Sequence, residues 1–371
     1  MGVLLAWAGV LHWLFYAVGL TEEYRAVFHA TAQIQGFVTC IAVGFLFTFI
    51  PRRTGTLPAR RWEMAAALAA PILATLASWW GHWATAQVVW IAGIAAVVSF
   101  VVRRAFSRGG ARRVPGVFVW VPVALLAGIA GAAVVAVAAV LGPREEPQLW
   151  QLGRGILLQG MIVALVVGVG GTMLPTLTRA EPAPDAGPRP TTRRLAQAMA
   201  AAAFLGSFFV EVYVSPRLGY ALRALVAGGA LVWAARLWRP PTAPGLHRRF
   251  IWISAWLLPA GYALAAADPA LRSAALHVVF IGCFALMALS VSLHVALSHG
   301  GRPERLAGSS REVRALGSLL LAAAASRLLA GVDLDHLKLW VGVASIAFLA
   351  ATLAWAALVV PAIRASGARR P

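Results

Sequence analysis

Eight histidines are the side chains of this sequence best equipped for chemistry, and most stand in or beside long apolar stretches. A neutral imidazole offers a lone pair to a metal and changes charge close to neutral pH. Inside a bilayer an ionisable side chain is costly to keep, so each one marks a candidate site. His29 and His277 are the most informative pair. Each opens an apolar run and has a glycine one to two turns later, Gly36 and Gly282. If the two runs are equivalent helices, the imidazoles stand at one depth. Such a pair can clamp a flat macrocycle, each ring giving one axial nitrogen to iron. The plainer reading is a pair of interfacial histidines bonded to lipid headgroups or to a neighbouring helix. His12, His82 and His336 belong to the same outer side as lesser metal ligands, while His247, His294 and His299 fall towards the other face.

A haem also needs cationic partners for its two propionates. Arg154, Arg223 and Arg327 lie inside apolar runs near the outer side, and a guanidinium fork matches a carboxylate. Glu211 offers the competing reading, an Arg–Glu pair that only holds helices together. Cys40 and Cys283 stand 11 residues after His29 and 6 after His277, so they differ in depth and read as packing residues, not a copper pair. Gly168-Val-Gly-Gly171 and Gly228-Gly229 follow no strand and read as close helix packing, not phosphate cradles. The fifteen tryptophans are expected as interfacial anchors.

The elements that position these residues are apolar runs. The chain of 371 residues is 60% hydrophobic and 12% charged, with a mean hydropathy of +0.78. That composition indicates an all-α polytopic membrane protein. Runs long enough for a ~30 Å hydrocarbon core occur at 3–20, 29–50, 64–80, 84–102, 116–142, 153–177, 194–214, 218–238, 249–267, 272–298, 313–331 and 337–363. About twelve transmembrane helices follow, with tight hairpins at Gly81-His82-Trp83 and Ser215-Pro216. The net charge of +19 is spread as arginine clusters between the runs, which excludes a nucleic-acid face. Of 32 basic residues, 24 lie in even-numbered loops and the C-terminal tail, among them Arg108, Arg112, Arg113, Arg189, Arg302, Arg369 and Arg370. This bias places the basic loops and both termini in the cytoplasm. The whole chain, 1–371, is read as a single integral membrane domain with a Pro-rich cytoplasmic linker near 179–194. No cleavable signal is evident, and no Cys pair in a loop supports a disulfide or zinc site.

Three segments share a pattern: His29 to Gly55, Arg154 to Arg179, and His277 to Arg302. Each opens on a polar residue, has an early glycine, and ends on Pro or His followed by Gly or Thr and Arg. Their starts lie 125 and 123 residues apart (29, 154 and 277). Helices 2, 6 and 10 are thus equivalents in three four-helix pseudo-repeats.

Phe28-His29-Ala30, Gly36-Phe37, Gly44-Phe45-Leu46, Thr48, Pro51 and Thr54-Gly55 resemble the NnrS family. So do Gly170-Gly171, Pro175 and Thr178-Arg179, and His277, Gly282, Met287 and Val295 to Arg302. The resemblance implies a twelve-helix membrane protein with haem b and copper, linked to nitric oxide stress and denitrification. Four positions depart from the family. Thr31 and Ala32 stand where a second histidine and an acid are usual; Thr172 and His294 replace arginines. The first departure removes expected copper ligands. The layout is similar, more distantly, to the haem-copper oxidase catalytic subunit, whose low-spin haem is held from helices 2 and 10. Its copper ligands have no histidine counterpart here.

Three functions compete. One is a membrane haem protein that binds nitric oxide or passes electrons, as a haem-dependent oxidoreductase if it is an enzyme, with a quinol or an electron-donor protein as partner. The second is a twelve-helix secondary transporter; the third handles haem or copper transiently. The bilayer is the bacterial inner membrane in each case. A Soret band separates the first and third from the second.

Overall fold

In lipid every backbone polar group must be satisfied within the protein, and a helix does this within one segment. The computed structural model describes residues 1–105, 115–182, 190–300 and 304–367, and among these it is all helix, with no strand. The helices are α1 (Gly2–Ala17), α2 (Ala26–Thr54), α3 (Arg61–Trp79), α4 (Trp83–Arg104), α5 (Gly116–Leu141), α6 (Pro147–Arg179), α7 (Thr191–Tyr213), α8 (Pro216–Ala235), α9 (Leu246–Ala267), α10 (Pro269–His299), α11 (Arg311–Val332) and α12 (Leu337–Ala365). The eleven from α2 to α12 are long and apolar enough to cross a membrane. The chain is therefore an all-α, multi-pass membrane protein.

The segment read as a first span, 3–20, is shorter than expected. Helix α1 has 16 residues, about 24 Å at ~1.5 Å per residue, against a ~30 Å core. It stops because Gly19 takes φ +78 and Leu20 N turns back to the Phe15 carbonyl at 2.9 Å, a left-handed cap suited to glycine. Gly81, φ +79, closes the α3–α4 hairpin in the same way, with His82 N on the Ala77 carbonyl at 2.9 Å. The Ser215 hydroxyl accepts from Leu218 N, and Pro216 opens α8.

The described chain packs as two compact units. The first comprises Met1–Gly9, Arg25–Thr172 and Pro184–Ala230; the second comprises Val10–Tyr24, Met173–Ala183 and Leu231–Pro371. Helices α1, α6 and α8 thus contribute residues to both. The residues 183–189 of the expected linker lie outside the described residues, as do Arg108, Arg112, Arg113, Arg189, Arg302, Arg369 and Arg370.

Helices α2, α6 and α10 each depart from α geometry soon after their opening polar residue. Wide π-helical turns cover Thr31–Val38, Ile156–Gly160 and Val278–Ala285. Their starts lie 125 and 122 residues apart (31, 156 and 278), close to the spacing of the sequence repeat. Further π turns occupy Val166–Gly170 in α6 and Ala224–Gly228 in α8. Such turns are rare and concentrate at functional sites.

Gly168 behaves as a packing glycine, since a methyl there would come within 3.0 Å of Val121 Cγ2. Gly229 does not: nothing stands within 4 Å of that position. Trp90 and Trp120 also differ from the anchor reading. Both are fully buried, because their indoles find interior acceptors, the Gln35 carbonyl at 3.3 Å and Gln197 Oε1 at 2.7 Å.

Candidate functional site

In the first unit His29 is half-buried and sits two residues before the π turn of α2. Its Nδ1 lies 3.0 Å from the Gly9 carbonyl of α1. A carbonyl can only accept, so Nδ1 carries the proton and the lone pair of the neutral ring is on Nε2. Glycine at position 9 permits this approach, because a methyl there would stand 2.8 Å from Gln33 Nε2 and 3.0 Å from Ala32 Cβ. Gln33 Nε2 adds a second bond to α1 at the Ala6 carbonyl, 2.8 Å. Thr31 is buried, donates to the Val27 carbonyl at 3.0 Å and accepts from Ser78 at 3.3 Å. Deeper in the π turn, Gln35 and Gln87 exchange reciprocal amide bonds of 2.9 and 3.2 Å.

In the second unit His277 is half-buried and directly precedes the π turn of α10. Its Nδ1 lies 2.6 Å from the Ser273 carbonyl one turn back, so the same tautomer follows. Helix α11 runs antiparallel to α10, with Gly331 facing Ala274 so closely that a methyl there would meet its Cβ at 2.5 Å. One turn along, Arg327 is level with Val278 and His277. Its guanidinium lies over the Trp13 ring at 5.5 Å, and its Nε is buried with no hydrogen-bond partner.

The other two arginines lie in the first unit. Arg154 is half-buried, with its guanidinium 5.8 Å from the Trp150 ring centroid. Arg223 is fully buried and realises the competing reading for Glu211. Its Nη2 donates to Glu211 Oε2 and to the Ser207 carbonyl, its Nε to Ser207 Oγ at 3.1 Å, and its Nη1 to Gln159 Oε1 at 3.3 Å. Glu211 Oε1 accepts from Tyr220 at 2.8 Å and Gln151 at 3.1 Å. Phe208 lies against the guanidinium at 3.9 Å. Gln159 belongs to the π turn of α6, as Gln35 belongs to that of α2. Each amide thus ties its wide turn to a neighbouring helix.

His12 is buried and His82 exposed. His336 is exposed, with Nδ1 3.0 Å from Asp333 Oδ1. The Trp340 indole at 2.9 Å, and then His336, hold the Asp333 carboxyl below its ordinary pKa. Cys40 and Cys283 are free thiols, the first half-buried and the second buried. Among the described residues no three His, Cys, Asp or Glu side chains gather to hold a metal.

One pair was not anticipated. His247 of α9 and His294 of α10 join Nε2 to Nδ1 at 3.0 Å, with ring centroids 5.3 Å apart and planes at 29°. A signal existed in the sequence. His247 precedes and His294 follows the turn residue Ala270 by 23 and 24 positions (270 − 247 and 294 − 270), and an antiparallel hairpin brings such residues level.

No curated protein and no solved structure matches this chain. A family model described as NnrS protein matches residues 1–366, which is nearly the whole length, and the chain belongs to the NnrS family.

Proposed function

We propose that this chain is a haem protein of nitric oxide metabolism in the bacterial inner membrane, with His29 and His277 as axial ligands of haem b. One observation carries the reading. The two histidines stand one to two residues before eight-residue π turns at equivalent repeat positions. The chemistry of the donors fits the group. Both rings commit Nδ1 to a backbone carbonyl, the arrangement that orients a metal-bound imidazole through its other nitrogen. The buried Nε of Arg327 lacks an acceptor, and a propionate would supply one. Arg154 is the second propionate partner; Arg223 is already engaged with Glu211. Haem held by both histidines would supply one-electron chemistry and favour electron transfer, and binding nitric oxide would require one of the two histidines to give up its place. The protein's part is to present neutral Nε2 lone pairs, hold both rings and neutralise the carboxylates. Electrons would come from a quinol or a donor protein.

The test is a reduced-minus-oxidised spectrum of purified protein with iron and copper analysis. A Soret band and iron without stoichiometric copper are expected, since Thr31 and Ala32 carry no ligand. His29→Ala and His277→Ala should each lose or convert the low-spin spectrum, and His247→Ala should keep it. A colourless protein after haem-replete expression points to a transporter. Wild-type spectrum and haem content in either outer mutant removes the paired-ligand model.

We also place both termini in the cytoplasm, from the 24 basic residues in even loops and the C-terminal tail against eight elsewhere. Alkaline phosphatase fused after Arg370 should be inactive, and fused near Glu145 active. The reverse pattern inverts the topology.

A further inference from the structure

The His247–His294 pair plays no part in the reading above, and its surroundings point to a role of its own. Both imidazoles belong to membrane-crossing helices of the second unit. His247 is 1% exposed, His294 half-buried, and His299, five residues further along α10, is exposed. Protonatable rings therefore step from solvent to interior along one hairpin. The series continues inward. Ser290, one turn deeper than His294 on α10, is fully buried and its hydroxyl has no hydrogen-bond partner. Ser254, two turns beyond His247 on α9, is also fully buried. From His299 to Ser290 the helix rises about 13 Å at ~1.5 Å per residue. The surrounding residues are apolar: Phe250, Ile251, Leu293 and Leu297 are all buried.

A hydroxyl left unbonded in such an environment is costly, and a hydrogen-bonded water is the usual remedy. Among the described residues the ionisable neighbours of the two rings are Arg248 and His299, with no carboxylate among them. The pair is therefore not an ion pair that locks helices. Gly245, at φ +118, packs closely on His247, since a methyl there would collide with the Leu306 carbonyl and stand 3.0 Å from Nδ1; Nδ1 therefore faces the Gly245 end of α9.

We propose that His299, His294 and His247 form a proton inlet, carrying protons from the solvent at the His299 end of α10 to the buried ring of His247 in the second unit. The step conserves atoms and charge. A proton adds to the lone pair on His294 Nε2. The proton on His294 Nδ1 then crosses the 3.0 Å hydrogen bond to His247 Nε2, and the proton on His247 Nδ1 leaves that ring on the side of Gly245. Each ring ends neutral in its other tautomer, and ring reorientation resets the pair. No electron moves. The inlet does not depend on His29, His277 or a bound haem.

The experiment follows the ring N–H of His247 in the full-length protein, labelled with ¹⁵N-histidine and reconstituted in liposomes. Its signals are assigned by their loss in His247→Gln. A relay exchanges this buried proton rapidly for deuterium when the buffer is changed to D₂O. His294→Gln keeps a hydrogen-bonding side chain but cannot pass a proton through itself, so exchange at His247 should slow at least tenfold while the protein stays monodisperse and helical. His299→Ala should slow it less. His294→Ala serves as a check on folding. Slow exchange in the wild type, or unchanged exchange in a folded His294→Gln, overturns the proposal, because either result leaves a static structural pair.

Discussion

Arg223 and Arg327 are guanidiniums carried by membrane-crossing helices, one in each compact unit, and they differ in how far their hydrogen bonds are satisfied. Arg223 spends all three nitrogens on protein acceptors and neutralises its charge on Glu211. Arg327 stacks on Trp13 and keeps a buried Nε without an acceptor. A buried charge is tolerated when it is paired and fully bonded. A buried donor without an acceptor carries a cost that the fold retains only for a reason. The comparison separates an arginine that holds helices together from one whose Nε is still without an acceptor, as the proposed propionate contact requires.

Breaking that comparison at its strong end gives the largest effect. Arg223→Ala leaves Glu211 buried without its cation, with Gln159 and Ser207 deprived of a donor. We expect a loss of about 3–5 kcal/mol, read as a lower midpoint in denaturant or heat, with and without haem. A midpoint unchanged from wild type shows that the network does not hold α6, α7 and α8 together.

Arg327 should respond in the opposite manner. Replacing it with Met removes a charge that has no carboxylate partner among its hydrogen bonds and keeps the side-chain volume. The haem-free protein should be as stable as wild type or slightly more so. Retention of haem should fall, since one charge-assisted hydrogen bond is worth roughly 1.5–3 kcal/mol, or about tenfold or more in affinity. Haem titration of the apo-protein measures this. Equal haem affinity in Arg327→Met removes Arg327 from the site.

Much of this was legible in the sequence, and the illegible part has a common cause. Span positions followed from apolar run length, and the 125- and 123-residue spacing singled out the three segments of α2, α6 and α10 that carry π turns. The exception, α1, was misjudged because hydropathy does not register the left-handed cap at Gly19. The π turns were invisible, since glycine and branched residues within a span do not distinguish π from α geometry. Side-chain partners were harder still. Glu211 was named as a possible partner for an arginine, but choosing Arg223 needs the packing of α8 on α7, where Gly219 would bring a methyl within 2.7 Å of Glu211. The fully buried Trp90 and Trp120 were read as anchors because residue type indicates depth only on average.

The smallest effect belongs to Asp333, a carboxylate as well bonded as Glu211 but set in solvent. It accepts from the Trp340 indole at 2.9 Å and from His336 at 3.0 Å, and these bonds lower its pKa from the ordinary 3.8. A depressed carboxylate pKa stabilises the fold at any pH above the unfolded value. The contribution fades as pH falls through the lower folded value. At pH 7 it is fully present, so Asp333→Asn should lower the thermal midpoint slightly there. Well below pH 3.8 wild type and variant should converge, because the wild-type carboxyl is then protonated too. The difference must be small, since water competes for every bond that Asp333 makes and screens its charge. A wide gap at pH 7, matching that of Arg223→Ala, means that the number of bonds and not their burial sets the energy. The contrast drawn between Arg223 and Arg327 would then need a different basis.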